Sequence, residues 1–313
     1  MPKRLAMLHN LSHNDWLELR RRYIGGSDAA AVVGLNPFSS QYSLWADKTG
    51  RLPEKQDTEA MRCGRDLEAY VAQRFTEATG KKVRRAPYMY GHDEYGFAAV
   101  NLDREIVGEK AFLEAKTTSI LNTKRFKGGE YPPTYYAQVM HGLAVTGCER
   151  AYLAVLILNQ GFHTFTIERD EDEIASLMEQ EAAFWRYVEA DEPPPVDGSD
   201  ATMNALIAIY PGSATSSGAI DLFGRDKLIE EYYNQKALRA AAESKMEEIK
   251  QNLCLDLGDN DTGLCGAYKV TWKQQNRNTF DVKAFTADHP EIDLSGYYNS
   301  TAYKVFNIKE VKA

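Results

Sequence analysis

No stretch of this chain is long and apolar enough to span a bilayer. The longest apolar run, Ala151 to Leu158, falls far short of the roughly 20 residues that a crossing helix needs. The polar start Met1-Pro2-Lys3-Arg4 leads into no extended apolar segment, so neither membrane insertion nor secretion is expected. Paired cysteines are also missing. Cys63, Cys148, Cys254 and Cys265 form no Cys-x-x-Cys, which removes zinc-ribbon and iron–sulfur readings and leaves reduced, cytoplasmic thiols. Basic residues are not in excess: 37 Lys and Arg against 45 Asp and Glu give a formal net charge of -8. Contact with nucleic acid would have to come from local basic groups or a bound metal rather than from overall charge. No internal repeat is visible.

What is present fits a soluble globular chain of 313 residues, hydrophobic at 43% and charged at 26%, with room for one large domain and a smaller one. Ser12 to Arg22 and Ser27 to Gly34 read as two short helices, each opened by a serine able to cap, with Gly25-Gly26 between them. A longer helix is predicted from Thr58 to Thr79, with Leu67, Val71 and Phe75 on one face and a stop at Gly80. Then the period changes. Pro87 to Tyr90, Tyr95 to Leu102, Arg104 to Val107 and Ala111 to Thr117 read as a meander of strands. Thr134 to Thr146 returns to helix. Arg150 to Leu158 has the continuous apolar run of a central strand, Phe162 to Glu168 reads as its neighbour, and Asp170 to Ala190 as an acidic helix.

Pro193-Pro194-Pro195, followed by a Gly/Ser-rich stretch interrupted by Met203 to Tyr210, is the best domain boundary. The expected organisation is a core over 1–192, a linker over 193–225 and a C-terminal helix-plus-strand extension over 226–313. That extension reads as a helix from Asp226 to Leu257, a strand with Tyr268, Val270 and Trp272 on one face, and a final strand near Tyr303 to Ile308. Asp259-Asn260-Asp261 lacks the ligand pattern of an EF-hand loop and reads as a turn.

One constellation carries chemistry. Asp103 ends a strand segment, and Glu114-Ala115-Lys116 lies on the next long one, where a period of two puts Glu114 and Lys116 on the same face. Two carboxylates on neighbouring strand ends can hold a hard divalent cation, and a lysine beside them can orient water for attack on phosphorus. The plainer reading is a surface ion pair, worth about 0–1 kcal/mol. Glu-x-Lys recurs at Glu243/Lys245, Glu248/Lys250 and Glu310/Lys312, but the first two lie on a predicted helix and the third has no acidic hairpin before it.

Further motifs lie around this one in order: Trp16-Leu17-Glu18-Leu19-Arg20 with Ile24-Gly25-Gly26-Ser27; Gly64-Arg65-Asp66-Leu67-Glu68; Ala99-Val100-Asn101-Leu102-Asp103; and Tyr136-Ala137-Gln138-Val139. With Leu113-Glu114-Ala115-Lys116 they make the chain from Trp16 to about Val188 resemble the YqaJ-type viral recombinase nucleases, relatives of phage lambda exonuclease in the PD-(D/E)xK superfamily. Leu102 stands where that signature has proline, which affects the turn rather than the ligand.

The resemblance implies an α/β restriction-endonuclease-like core, with a mixed central sheet flanked by helices, followed by a C-terminal α+β extension. It implies Mg²⁺, replaceable by Mn²⁺, held by Asp103, Glu114 and the carbonyl of Ala115, with Glu68 serving a second ion. Lys116 would position the attacking water and Gln138 would hydrogen-bond the nucleophile or phosphate. The plainer readings are a helix carboxylate near the dipole for Glu68 and an exposed polar residue for Gln138. Arg20 and Ser27 correspond to residues gripping a terminal 5′-phosphate, against the alternative of a solvated arginine and a simple cap. Asn101, where relatives have serine, can still donate a hydrogen bond.

The activity implied is exonucleolytic hydrolysis of one strand of linear duplex DNA, 5′ to 3′, exposing single strand for annealing. A structure-dependent or restriction-like endonuclease and a non-catalytic DNA-binding accessory remain alternatives. The implied partners are duplex DNA with a free end, a single-strand annealing protein and further copies of the chain in a ring trimer, in the cytoplasm of a bacterial host. Lys81-Lys82-Val83-Arg84-Arg85 and Lys124-Arg125-Phe126-Lys127 are candidate phosphate contacts or solvated loops. In the extension the Tyr268, Val270 and Trp272 face is expected to pack on the long helix, and Lys269, Thr271, Lys273 and Arg277 form a candidate DNA or partner face or a merely solvated hairpin face.

Overall fold

A computed structural model of the chain describes residues 2–54, 57–212, 218–299 and 304–309. The chain forms two compact units, Met1–Gly212 and Ser213–Ala313. Among the described residues no helix is long and apolar enough to cross a membrane.

The first unit opens with β1 (Lys3–Met7), α1 (His13–Arg21), α2 (Gly26–Val32), α3 (Gln41–Lys48) and α4 (Glu59–Thr79). There follow β2 (Val83–Arg85), β3 (Tyr88–Gly91), β4 (Ala99–Asn101), β5 (Arg104–Ile106) and β6 (Ala111–Thr118). It closes with α5 (Pro133–Thr146), β7 (Arg150–Ile157), β8 (Gly161–Glu168), α6 (Glu171–Glu189) and α7 (Asp200–Ile209). Local chemistry sets the helix ends. Ser12 and Thr58 accept N–H bonds in the first turns of α1 and α4, while Gly80, at φ 72°, ends α4 in the left-handed conformation that glycine adopts without a Cβ clash. Ser27 is not the cap of α2. Gly25 occupies that position, and Asp28 accepts its N–H, which leaves the Ser27 hydroxyl free for other work.

The strands between Pro87 and Thr117 make two sheets rather than one meander. β1, β3 and β4 form an antiparallel three-stranded sheet, and a five-stranded sheet runs β2-β5-β6-β7-β8. The chain leaves one sheet after Asn101 and enters the other at Arg104, so Asp103 stands at the junction. β6 and β7 are parallel and the other pairs of the larger sheet antiparallel, which makes it the expected mixed sheet.

Strand alternation decides what covers each face. Leu113 of β6 with Tyr152 and Ala154 of β7 join Val71, Ala72 and Phe75 of α4. Phe112, with Ala151, Leu153 and Val155, joins Met140 and Leu143 of α5 and Leu177 and Met178 of α6. Helices therefore flank both faces, as an interior strand such as β7 requires. Gly142 lets α5 lie against β6, since a Cβ there would come within 2.7 Å of the Phe112 ring. Phe75 is fully buried, so truncating it to alanine is expected to cost about 3–5 kcal/mol.

The acidic helix α6 is followed by α7, which falls inside the span expected as a linker. Its Ala205 is buried with Tyr42, Leu44 and Trp45 of α3 and Phe184 of α6. The first unit accordingly continues through α7 to Gly212.

The second unit contains α8 (Asp226–Leu257), a hairpin of β9 (Thr262–Cys265) and β10 (Tyr268–Thr271), and α9 (Val282–Asp288). Gly263 lies against Leu257 at the end of α8, where a Cβ would approach within 2.9 Å. Tyr268 and Trp272 are exposed, so the aromatic face expected to pack is not buried in this unit. Of the expected last strand, Tyr303 lies outside the described residues, and Lys304–Ile308 is not a strand. That segment returns to α8: Tyr233 donates its hydroxyl to the Ile308 carbonyl at 3.1 Å, and Phe306 meets the Tyr232 ring edge-on. Glu310 and Lys312 also lie outside the described residues.

Candidate active site

Glu114 and Lys116 share the face of β6 that looks toward α5. The pairing of Arg104 with Leu113 and of Glu105 with Phe112 brings Asp103 level with Glu114 on the adjacent strand. Asp103 Oδ2 accepts the Ala115 N–H at 2.7 Å, which fixes its carboxylate beside the β6 backbone. From α5, Gln138 Nε2 donates to Glu114 Oε1 at 2.5 Å, while its Oε1 accepts from Lys116 Nζ at 2.9 Å. Lys116 Nζ lies 2.7 Å from Glu114 Oε1 and faces the Tyr135 ring at 5.4 Å. Asp103, Glu114, Lys116 and Gln138 are thus brought together.

Glu68 is placed differently. It lies in the middle of α4, away from the helix dipole's end, and pairs with Arg104, whose guanidinium also donates to the Asp103 carbonyl at 2.5 Å. Glu68 therefore borders the group through Arg104, although it is near enough to raise the Asp103 carboxyl. Among the described residues, no three His, Cys, Asp or Glu side chains group as a metal site.

Electrostatics give the carboxylate pair its character. Burial pushes the Asp103 carboxyl well above the usual carboxylate range, and Glu114 raises it further, with Lys116 and the Ala115 N–H opposing. Burial works to lower Lys116, but Glu114 and Asp103 more than offset it and leave the ammonium held above its ordinary value. Lys116 is consequently a cation here, suited to donating hydrogen bonds rather than to taking a proton. A buried Glu114 and a half-buried Asp103, level with each other on adjacent strands, offer the oxygen ligands that suit an oxygen-seeking divalent ion. Mg²⁺ needs only one or two carboxylates, because it keeps several of its waters.

A cavity of about 150 Å³ opens next to this group, lined by Trp16, Arg20, Ser27, Asn101 and Gln138 among others. Gln138 belongs to both places. Arg20 donates to Ser27 Oγ at 3.2 Å, and its guanidinium lies over the Trp16 ring at 5.0 Å. Asn101 keeps a buried side-chain oxygen without an internal partner. Gly26 allows α2 to sit against α5, since a Cβ there would lie 3.2 Å from the Gln138 side chain and carbonyl.

Two buried pairs support this cradle and were not legible in the sequence. Asp28 bonds Lys48 at 2.6 Å, and His141 bonds Glu181 at 2.8 Å. Their partners stand 20 and 40 residues apart, so no local spacing marks them. Of the basic clusters, Arg84 and Arg85 lie on edge strand β2, where Arg84 pairs with Glu105; Lys81 pairs with Glu109; and Phe126 is buried between Arg125 and Lys127.

The family described as YqaJ-like viral recombinase domain matches residues 15–149. The uncharacterised protein YqaJ of Bacillus subtilis (strain 168) is 37% identical over 312 residues, 98% of this chain and 97% of that protein. Among solved structures, the alkaline exonuclease LHK-Exo from Laribacter hongkongensis is similar at TM-score 0.49 with 21% identity, over 57% of this chain and 93% of that one. LHK-Exo in complex with dAMP is similar at TM-score 0.50, with the same identity and coverage. The latter likeness shows a shared fold.

Proposed function

This chain belongs to the YqaJ-like viral recombinase family, and from that premise we propose that it is a metal-dependent deoxyribonuclease that degrades one strand of linear duplex DNA from a 5′ end. The observation that carries the reading is that Gln138 bonds Glu114 and Lys116 and also lines the cavity holding Arg20 and Ser27. A terminal phosphate gripped by Arg20 and Ser27 would leave the next phosphodiester beside Asp103, Glu114 and Lys116. A pocket for a chain end next to the hydrolytic group favours an exonuclease over an endonuclease.

Asp103, Glu114 and the Ala115 carbonyl would hold Mg²⁺ or Mn²⁺, which supplies charge neutralisation and a more acidic water. The chain's own residues do the rest. Lys116, kept protonated by its carboxylate neighbours, donates to the attacking water or to a phosphoryl oxygen as charge builds there. Gln138 holds Lys116 and Glu114 in register. Water oxygen bonds to phosphorus as the bond from phosphorus to the 3′ oxygen breaks. The leaving 3′ oxygen takes up a proton that the attacking water gives up, so the released 5′-mononucleotide gains a 3′-hydroxyl, and the shortened strand carries a new 5′-phosphate that fits the same pocket. Repeated cleavage then leaves single strand for an annealing protein, and several copies of the chain enclosing the duplex would keep an acidic protein on DNA.

Incubation with linear duplexes carrying 5′-phosphate or 5′-hydroxyl ends, and with a covalently closed circle, tests the reading. Linear DNA with 5′-phosphate is expected to be degraded fastest, EDTA to stop the reaction, and the circle to stay intact. Nicking of the circle at a comparable rate would establish an endonuclease, and metal-independent binding without cleavage a non-catalytic accessory.

A further inference from the structure

Among the residues lining the Arg20 cavity, Arg20 alone carries a formal charge, yet directly behind it lies a carboxylate. Asp28 Oδ1 is 3.5 Å from the Arg20 guanidinium. Left alone with it, a largely buried carboxylate would hold the guanidinium by a charge-assisted hydrogen bond and oppose any incoming anion. The fold supplies a second cation. Lys48, at the end of α3 and with its side chain 1% exposed, lies 2.6 Å from Asp28 Oδ2. The same oxygen accepts the Gly25 N–H at 3.0 Å, and Lys48 Nζ also donates to the Arg20 carbonyl at 3.1 Å. Burial alone would push the Asp28 carboxyl up, but Lys48 and Arg20 together hold it below its ordinary value, so it stays charged. Two cations and one carboxylate leave a single positive charge, and the exposed share of it is the Arg20 guanidinium.

We propose that the buried Asp28–Lys48 ion pair sets the specificity of this pocket: Lys48 occupies Asp28, which leaves Arg20 available to a terminal phosphate on the DNA strand. Asp28 and Lys48 are positioning residues, acting through Arg20 without touching the substrate. The inference rests on the reading of the cavity as a 5′-phosphate pocket and adds how that pocket tells phosphate from hydroxyl.

The test is the ratio of degradation rates on 5′-phosphate and 5′-hydroxyl linear duplexes, which cancels any loss common to both ends. Lys48→Met leaves Asp28 with Arg20 as its only cation, and the ratio is expected to fall about tenfold, toward that of Arg20→Ala. Asp28→Asn combined with Lys48→Met restores the pocket's single positive charge, and its ratio is expected to return to within roughly twofold of the unaltered protein. A mere scaffold role would slow degradation of both end types together and leave their ratio unchanged in either variant, whatever the double substitution does for stability. An unchanged ratio in Lys48→Met, or a double variant as low as the single one, overturns the proposal. Should the methionine variant not fold, Lys48→Gln carries no charge yet can still donate to the Arg20 carbonyl, and takes its place with the same expectation. A lost ratio in Arg20→Ala with an intact one in Lys48→Met leaves the pocket reading standing and rejects this proposal alone. Absence of any phosphate preference in the unaltered protein rejects the pocket reading, and the proposal falls with it.

Discussion

His141 Nδ1 lies 2.8 and 3.0 Å from the two carboxylate oxygens of Glu181, and neither side chain is exposed to solvent. On the other edge of the ring, Nε2 is 2.9 Å from the carbonyl of Ala99, which can only accept. Nε2 therefore carries a proton and donates it to Ala99, Nδ1 faces the Glu181 carboxyl, and the ring joins α5, α6 and β4 behind the cradle. Burial works to lower the His141 pKa, but Glu181 and the Ala99 carbonyl raise it more, with Asp28 contributing from α2. His92, after β3, is in turn lowered chiefly by its own burial and slightly by His141.

A folded pKa raised above the unfolded value of about 6.5 gives stability that is fully present below that pH and is lost as pH rises through the folded pKa. The melting temperature is thus expected to decline from neutral toward alkaline pH. Glu181→Gln is expected to flatten that slope, and Glu181→Ala to cost about 3–5 kcal/mol at neutral pH by stranding the buried ring. Melting curves across pH check this, and an unchanged slope in Glu181→Gln would show that other groups set the pH response.

A second prediction concerns the carboxylate pair. Asp103→Asn keeps the shape of the side chain, and its amide oxygen can still accept the Ala115 N–H, but the charge facing Glu114 is gone. Hydrolysis is expected to be lost, while the metal-free protein melts higher, on the order of 2–4 °C for each kcal/mol of repulsion relieved. Mg²⁺ is expected to raise the melting temperature of the unaltered protein and not that of the variant. Lys116→Ala is expected to slow cleavage about 10²–10³-fold, the usual scale for removing one transition-state donor. Calorimetry with and without metal, read beside single-turnover rates, checks both, and a variant that cleaves normally rejects the assignment.

How much of this was readable in advance depended on the range of the interactions. The long helix α8 was legible at both ends, because composition changes sharply at Asp226 and Gly258. β7 was legible because burial on both faces leaves a continuous apolar run. Helix α3 was not, although Tyr42, Leu44 and Trp45 are buried from it, since it is only eight residues long and its apolar residues are buried with the distant Phe184 and Ala205. The split of the expected meander into two sheets also lay out of reach. β3 is held to β1 from the start of the chain and β6 to β7 from beyond α5, so the split is made by partners outside the meander and not by the residues between Asn101 and Arg104. Asp103, Glu114 and Lys116 could be found because strand period and one turn bring them together, and Gln138 only because the family resemblance pointed to it.

Arg20 offers a third prediction. Its guanidinium is shared between Ser27, Asp28 and the Trp16 ring, an arrangement that a planar fork satisfies and an ammonium does not. Arg20→Lys keeps the charge and is expected to keep part of the preference for 5′-phosphate ends, whereas Arg20→Ala is expected to lose it. Rates on both end types distinguish the outcomes, and an equal loss on the two ends would assign Arg20 to folding or to general DNA contact.

The last prediction concerns the second unit. The expected cut near Pro195 would remove α7, whose Ala205 is buried against α3 and α6, so the informative truncation ends at Gly212. All of the candidate catalytic and phosphate-pocket residues precede that point. The unit removed carries Leu228, Leu238, Met246, Ile249 and Leu253 exposed along α8, an amount of apolar surface suited to association rather than chemistry. The shortened chain is expected to melt cooperatively and to keep metal-dependent hydrolysis of linear ends, with fewer nucleotides removed per binding event. Self-association, followed by sedimentation, is expected to weaken. If the shortened chain folds by circular dichroism and binds DNA but cleaves nothing even with Mg²⁺ or Mn²⁺, then the second unit contributes to catalysis and this division between the units is wrong.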